Sequence, residues 1–97
     1  MSNMDNRISA QNIAKKLKET MVGGLYRHFK GNVYEVTDIG VHSEEEDCLV
    51  IYRRVDKPEY TWCRPLSMFL SEVDHKKYPE VKQLMRFERL GENKWGV

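Results

Sequence analysis

The 97 residues predict an α+β, mostly β domain: one N-terminal helix followed by a small, strongly bent antiparallel sheet or an SH3-like barrel. Three observations carry that expectation. Apolar residues recur every four positions from Ile13 to Met21 and every two from Leu25 onward, a change from helical to strand periodicity. Turn residues cut the second part into short runs, as in small β folds. The length supports one thin hydrophobic core, so closing a barrel would cover strand edges that a chain this short cannot otherwise protect.

Taken in order, residues 1–7 read as a flexible tail. Ser9 offers an N-cap, with Ile8 and Ile13 at the spacing of a hydrophobic staple. A helix over 9–22 follows, its stripe formed by Ile13, Leu17 and Met21 beside Ala10 and Ala14. Gly23-Gly24 ends it, because glycine takes the left-handed C-cap conformation without steric cost. A β core over 24–75 comes next. Strands are expected over 25–29 and 33–37, joined by the turn Lys30-Gly31-Asn32. An acidic loop over 38–47 leads to a strand over 48–54, whose unbroken apolar run predicts a central position buried on both faces. Pro58 marks a turn. The strand over 60–64 places Tyr60, Trp62 and Arg64 on one face and Thr61 and Cys63 on the other. Residues 66–70 read as a helical turn with Met68 and Phe69 inward, and 71–74 as a short strand. In the extension over 76–97, Pro79 opens a helical turn and 84–90 alternates as a last strand, with a helix as the alternative. Trp95 either caps the core or meets a partner.

Composition narrows the function. Sixteen Lys and Arg against fifteen Asp and Glu leave a net charge of +1, which argues against generic nucleic-acid binding. The longest apolar run, Leu49-Val50-Ile51-Tyr52, is far too short to span a membrane, and the N-terminus has no secretory segment, so a cytoplasmic protein is expected. Cys48 and Cys63 lack zinc spacing and read as buried thiols. His28, His42 and His75 have no helical i, i+4 pairing, so neither a metal site nor a cofactor is expected. His42-Ser43-Glu44 invites a triad reading, but adjacent residues seldom face one another. Lys15, Lys16 and Lys18 read as a solvated helix face.

A more informative cluster is Tyr26, Arg27, His28, Lys30, Tyr34, Tyr52, Trp62 and Arg64. Rings can stack a planar group, and guanidinium forks take phosphate or carboxylate bidentately. The structural alternative is that the rings half-fill a barrel end while Arg27 or Arg64 pairs with Glu35, Glu44 or Glu72.

The ordered blocks Gly24-x-Tyr26-Arg27-His28-Phe29-Lys30-Gly31-x-x-Tyr34-x-Val36, His42-Ser43-Glu44 and Trp62-x-Arg64-Pro65-x-x-Met68-Phe69 resemble a family of small bacterial and phage domains. That family is known as domain of unknown function number 1653, and the resemblance covers about residues 23–75. It implies a compact, mostly β module and brings no established activity. Its signature falls on Tyr26, Arg27, His28, Lys30, His42, Ser43, Glu44, Trp62 and Arg64. The acidic run Glu45-Glu46-Asp47 departs from the family pattern.

The expected function is non-enzymatic binding of an anionic, ring-bearing small ligand, nucleotide-like, with sequestration as the outcome. Trp62, Tyr26 or Tyr34 would stack the ring, and Arg27, Lys30 and Arg64 would neutralise the anion. His28 and Ser43 would give directional hydrogen bonds, and Glu44 would orient an arginine or accept from the ligand. Two rivals stand beside it: a nucleic-acid or protein interaction module using the lysine-rich helix, and a hydrolase using His42 or His28 with Glu44. Alternation poses one further question. Tyr26, His28 and Lys30 fall on one strand face and Arg27 with Phe29 on the other. Either Arg27 is a buried ion-pair partner or His28 lies outside the site.

Overall fold

Strand periodicity dominates the chain after Gly24, and the elements follow it. A computed structural model of the chain describes residues 3–92, and the side chains of 9–91. Helix α1 spans Asn3–Met21; the strands are β1 Gly24–His28, β2 Val33–Val41, β3 Cys48–Arg54, β4 Thr61–Pro65 and β5 Phe87–Glu92; a short helix, α2, Leu66–Phe69, follows β4. All neighbours in the five-stranded sheet are antiparallel, in the order β4-β3-β2-β1-β5. The sheet is open: β4 and β5 remain its edges, so the SH3-like barrel does not form. Helix α1 and α2 cover one face instead, which buries a core without joining the edges.

Helix α1 begins at Asn3, within the stretch expected as a tail and ahead of the expected cap at Ser9. Its buried stripe is Ala10, Ala14 and Met21, with Leu17 half-buried, while Ile13 is 49% exposed. Small alanines let the helix lie close on the sheet, and Cys48 Sγ donates to the Ala10 carbonyl at 3.3 Å. Burial there pushes the Cys48 thiol up, with Asp47 beside it adding to the effect. Cys63, expected to be buried, is exposed. The Gly23 N–H donates to the Val36 carbonyl at 2.8 Å, with Gly23 at φ +85° as the helix stop requires.

Strand β2 runs on to Val41, through the stretch expected as loop. The reason is a bulge between Val36 and Asp38. Val36 and Ile39 are both buried although three residues apart, which strict alternation forbids; the extra residue restores the inward face. Strand β3 has neighbours on both sides, yet only Cys48, Val50 and Tyr52 are buried while Leu49 and Ile51 are half-buried. Its apolar run reflects one covered face and one open face.

Phe69 is the residue of α2 that turns inward; Met68 points out. Phe69 stacks on Phe87 at 4.1 Å and meets Tyr26 and Tyr52 edge-on at 5.2 and 5.5 Å. Fully burying one such ring stabilises by about 1.5–3 kcal/mol. Phe87 opens β5, so the expected C-terminal extension belongs to the sheet and its ring to the core. Ahead of β5, residues 79–84 form turns and irregular chain without a helix, and Glu72 bridges Met85. Trp95 lies outside the described residues.

Candidate functional site

A cavity of about 440 Å³ opens on the helix-covered face, at the end of the sheet away from α1. Its walls come from every strand. The β1–β2 turn supplies Phe29, Lys30 and Asn32. Gly31 adopts φ +112°, so its N–H reaches the His28 carbonyl at 2.8 Å while the His28 N–H reaches the Asn32 carbonyl at 2.9 Å. Tyr34, Tyr52, Arg64 and Phe87 project from β2, β3, β4 and β5. The fourth side is a turn at Asp74, whose Oδ1 accepts from the backbone N–H groups of Lys76 and Lys77 at 3.1 and 3.3 Å. That turn presents Lys77 and Tyr78 to the cavity. Val73 N–H donates to the Leu84 carbonyl, which ties the turn to the segment ahead of β5, and Gln83 Nε2 ties that segment to β1 by donating to the Arg27 carbonyl at 3.0 Å.

Four cations line this space: Lys30, Arg64, Lys77 and Arg86, against one carboxylate, Asp74. Among the described residues, ion pairs join Lys18 to Asp38, Arg27 to Glu88, Arg53 to Glu35 and Arg54 to Asp56, and none involves the four cavity cations. Their stems are held by other means. Arg64 Nε donates to Tyr52 Oη at 3.2 Å, and its guanidinium lies 5.4 Å from the Phe87 ring centre. Arg86 Nε donates to Ser71 Oγ at 3.0 Å. Lys30 and Lys77 sit 5.7 and 5.5 Å from the Tyr78 ring centre. Both arginines are thus anchored through Nε, and among the described residues their terminal nitrogens have no partner.

His28 lies in the same wall, stacked on Phe29 at 4.5 Å and edge-on to Phe87 at 5.0 Å. Its Nδ1 accepts the Lys30 backbone N–H at 3.1 Å, so the neutral ring carries its proton on Nε2. Burial first, then the charges of Arg64, Arg86 and Lys30, lower its pKa from 6.5 to about 4. At neutral pH it is an uncharged hydrogen-bonding group among cations.

The sequence-predicted residues divide. His28, Lys30, Tyr34 and Arg64 line the cavity, as does Tyr52. Tyr26 is buried in the core, its ring against Phe69, and its hydroxyl accepts from Arg89 Nη1 at 2.9 Å. Arg27 lies on the opposite face of the sheet, exposed and 3.9 Å from Glu88. The open question about β1 therefore has an outcome outside both expected ones: His28 faces the cavity and Arg27 makes a surface ion pair. Trp62 shares a face with Arg64 but sits 51% exposed on the edge strand, outside the cavity lining. His42, Ser43 and Glu44 lie beyond β2, away from the cavity. There His42 Nδ1 accepts the N–H groups of Glu44 and Glu45 at 3.1 and 3.0 Å, and organises the acidic loop. Lys77, Tyr78, Arg86 and Phe87 were missed. Only their ring and cation types hinted at them, since more than forty residues separate them from the turn Lys30-Gly31-Asn32 that they face.

Fold and site together define a class: an open antiparallel sheet backed by a helix, with a basic, ring-walled cavity at one end. The chain belongs to the family described as a protein of unknown function (DUF1653), matched over residues 24–89. The match runs past residue 75, where the sequence resemblance ended, through the rest of the Asp74 turn to Arg89, halfway along β5. No curated protein and no solved structure matches the chain. Among the described residues, no helix is long and apolar enough to cross a membrane, and no group of three or more His, Cys, Asp or Glu is placed to hold a metal ion.

Proposed function

We propose that this domain binds an anionic, ring-bearing small molecule of nucleotide type and holds it without turnover. The observation that carries the reading is the set of four cations, without carboxylate partners among the described residues, around a cavity walled by rings. Its volume lies in the range of small-ligand sites. Unpaired like charges cost a fold stability, and a bound anion recovers that cost through charge-assisted hydrogen bonds. Tyr34 offers a planar wall for the ligand ring, and the Asn32 side chain can meet polar ring edges. His28 Nε2–H supplies a neutral donor. Binding is favoured over catalysis because Asp74, the single carboxylate among the described residues of the wall, already accepts two backbone N–H groups.

Isothermal titration calorimetry with nucleoside mono-, di- and triphosphates tests this. At least one should bind, and Arg64→Gln should weaken it by about tenfold or more, the usual worth of a hydrogen bond to a charged group. Arg27→Gln should leave affinity within about twofold, as expected of an exposed pair. Equal losses from both substitutions, or no binding across the set, would remove the cavity as the site.

A further inference from the structure

We propose that the ligand carries a chain of two or more phosphate groups, laid across Arg64, Arg86, Lys30 and Lys77. This rests on the cavity being the binding site and adds the charge and extent of the ligand's anionic part.

The first argument is charge. Four cations face the cavity against one carboxylate, and Asp74 is turned to the backbone of its own turn. A monophosphate or a monocarboxylate would leave much of that positive charge uncompensated. A diphosphate or triphosphate would match it, and none of the four has an ion-pair partner to give up first among the described residues.

The second argument is placement. The cations come from four separate segments: β4, the residue preceding β5, the β1–β2 turn and the Asp74 turn. Arg64 is fixed against Tyr52 and Phe87, and Arg86 against Ser71, whereas both lysines gather on the Tyr78 ring. The four cations therefore have three separate anchors: Tyr52 with Phe87, Ser71, and the Tyr78 ring. A single phosphate would have to draw all four to one point, whereas a phosphate chain can meet them in turn, with bidentate contacts at the arginines and point-charge contacts at the lysines.

The test is calorimetry with AMP, ADP, ATP, the guanosine series and inorganic tripolyphosphate, in low salt with EDTA. Affinity should climb with phosphate number, ATP or GTP binding about tenfold or more tighter than its monophosphate. Tripolyphosphate alone should bind, and binding should weaken steeply with added salt. Lys77→Gln and Arg86→Gln should flatten the climb. A monophosphate binding as tightly as its triphosphate would overturn this inference and leave the nucleotide reading standing. Tripolyphosphate binding as tightly as either triphosphate nucleotide would support the phosphate chain and overturn the role of the ring. Absence of binding by every probe would overturn both.

Discussion

The two faces of the sheet carry similar cations and treat them oppositely. On the open face Arg27 meets Glu88, and Arg53 meets Glu35 at 3.1 Å. On the helix-covered face Lys30, Arg64, Lys77 and Arg86 rest on rings and hydroxyls, and among the described residues none of them pairs with a carboxylate. Paired surface charge serves solubility and contributes little to stability. Concentrated unpaired charge of one sign is a cost to the fold, and it appears here where the chain also builds a cavity. The difference sets the helix-covered face apart, as the proposed binding face, more clearly than any single motif does.

Removing the support behind the cavity should give the largest effect. Phe69 is 1% exposed and stacks on Phe87, whose ring in turn faces Arg64. Phe69→Ala should cost about 3–5 kcal/mol, read as a lowered urea midpoint. An outer-face truncation such as Arg53→Ala should cost less than about 1 kcal/mol in the same assay. Comparable losses would mean that the two faces share the load, contrary to the burial pattern.

Acidification probes the charged face directly. The folded His28 pKa of about 4 lies below the unfolded value of 6.5, so the unfolded chain binds the extra proton in that window. Stability from His28 is therefore complete above pH 6.5 and falls as pH drops toward 4. With a half-buried ring and solvent-screened neighbours, the loss should be about 1 kcal/mol. Urea midpoints of the wild type and His28→Gln at about pH 7 and about pH 4.5 isolate it, because the variant loses this part of the slope. Equal slopes would show that neither burial nor the cavity cations act on the imidazole.

The smallest effect separates function from stability. Neutralising one cavity cation, as in Lys77→Gln, should raise stability by about 0.3–0.5 kcal/mol while weakening any bound anion. A thermal melt showing a clear decrease would place Lys77 among the residues that hold the fold.

Much of the site was legible as chemistry and little of it as geometry. The hairpin residues His28, Lys30 and Tyr34, and the distant Arg64, were identified as an anion-and-ring set and do meet. Arg27 and Tyr26 belong to the same motif but were separated by strand alternation and burial. The Arg27 side chain emerges on the open face, and Tyr26 is consumed by contact with Phe69 and Arg89. His42-Ser43-Glu44 looked like a reacting set because the residue types suit one. In place, the imidazole accepts backbone N–H groups, as an Asp or Asn does in a turn.

What the sequence determined by itself is the helix followed by short antiparallel strands, the glycine turns at Gly23 and Gly31, and the cations and rings of the first hairpin. These follow from local rules: a period of four or two, and glycine at a positive φ that residues with side chains rarely adopt. Tertiary structure alone decided three things: that the sheet stays open, that β5 returns beside β1, and that Lys77, Tyr78, Arg86 and Phe87 complete the cavity. The reason is that each depends on contacts between residues far apart in the chain. Phe69 against Phe87 and Gln83 against the Arg27 carbonyl are such contacts, and periodicity within one segment carries no information about which distant segment will supply its partner.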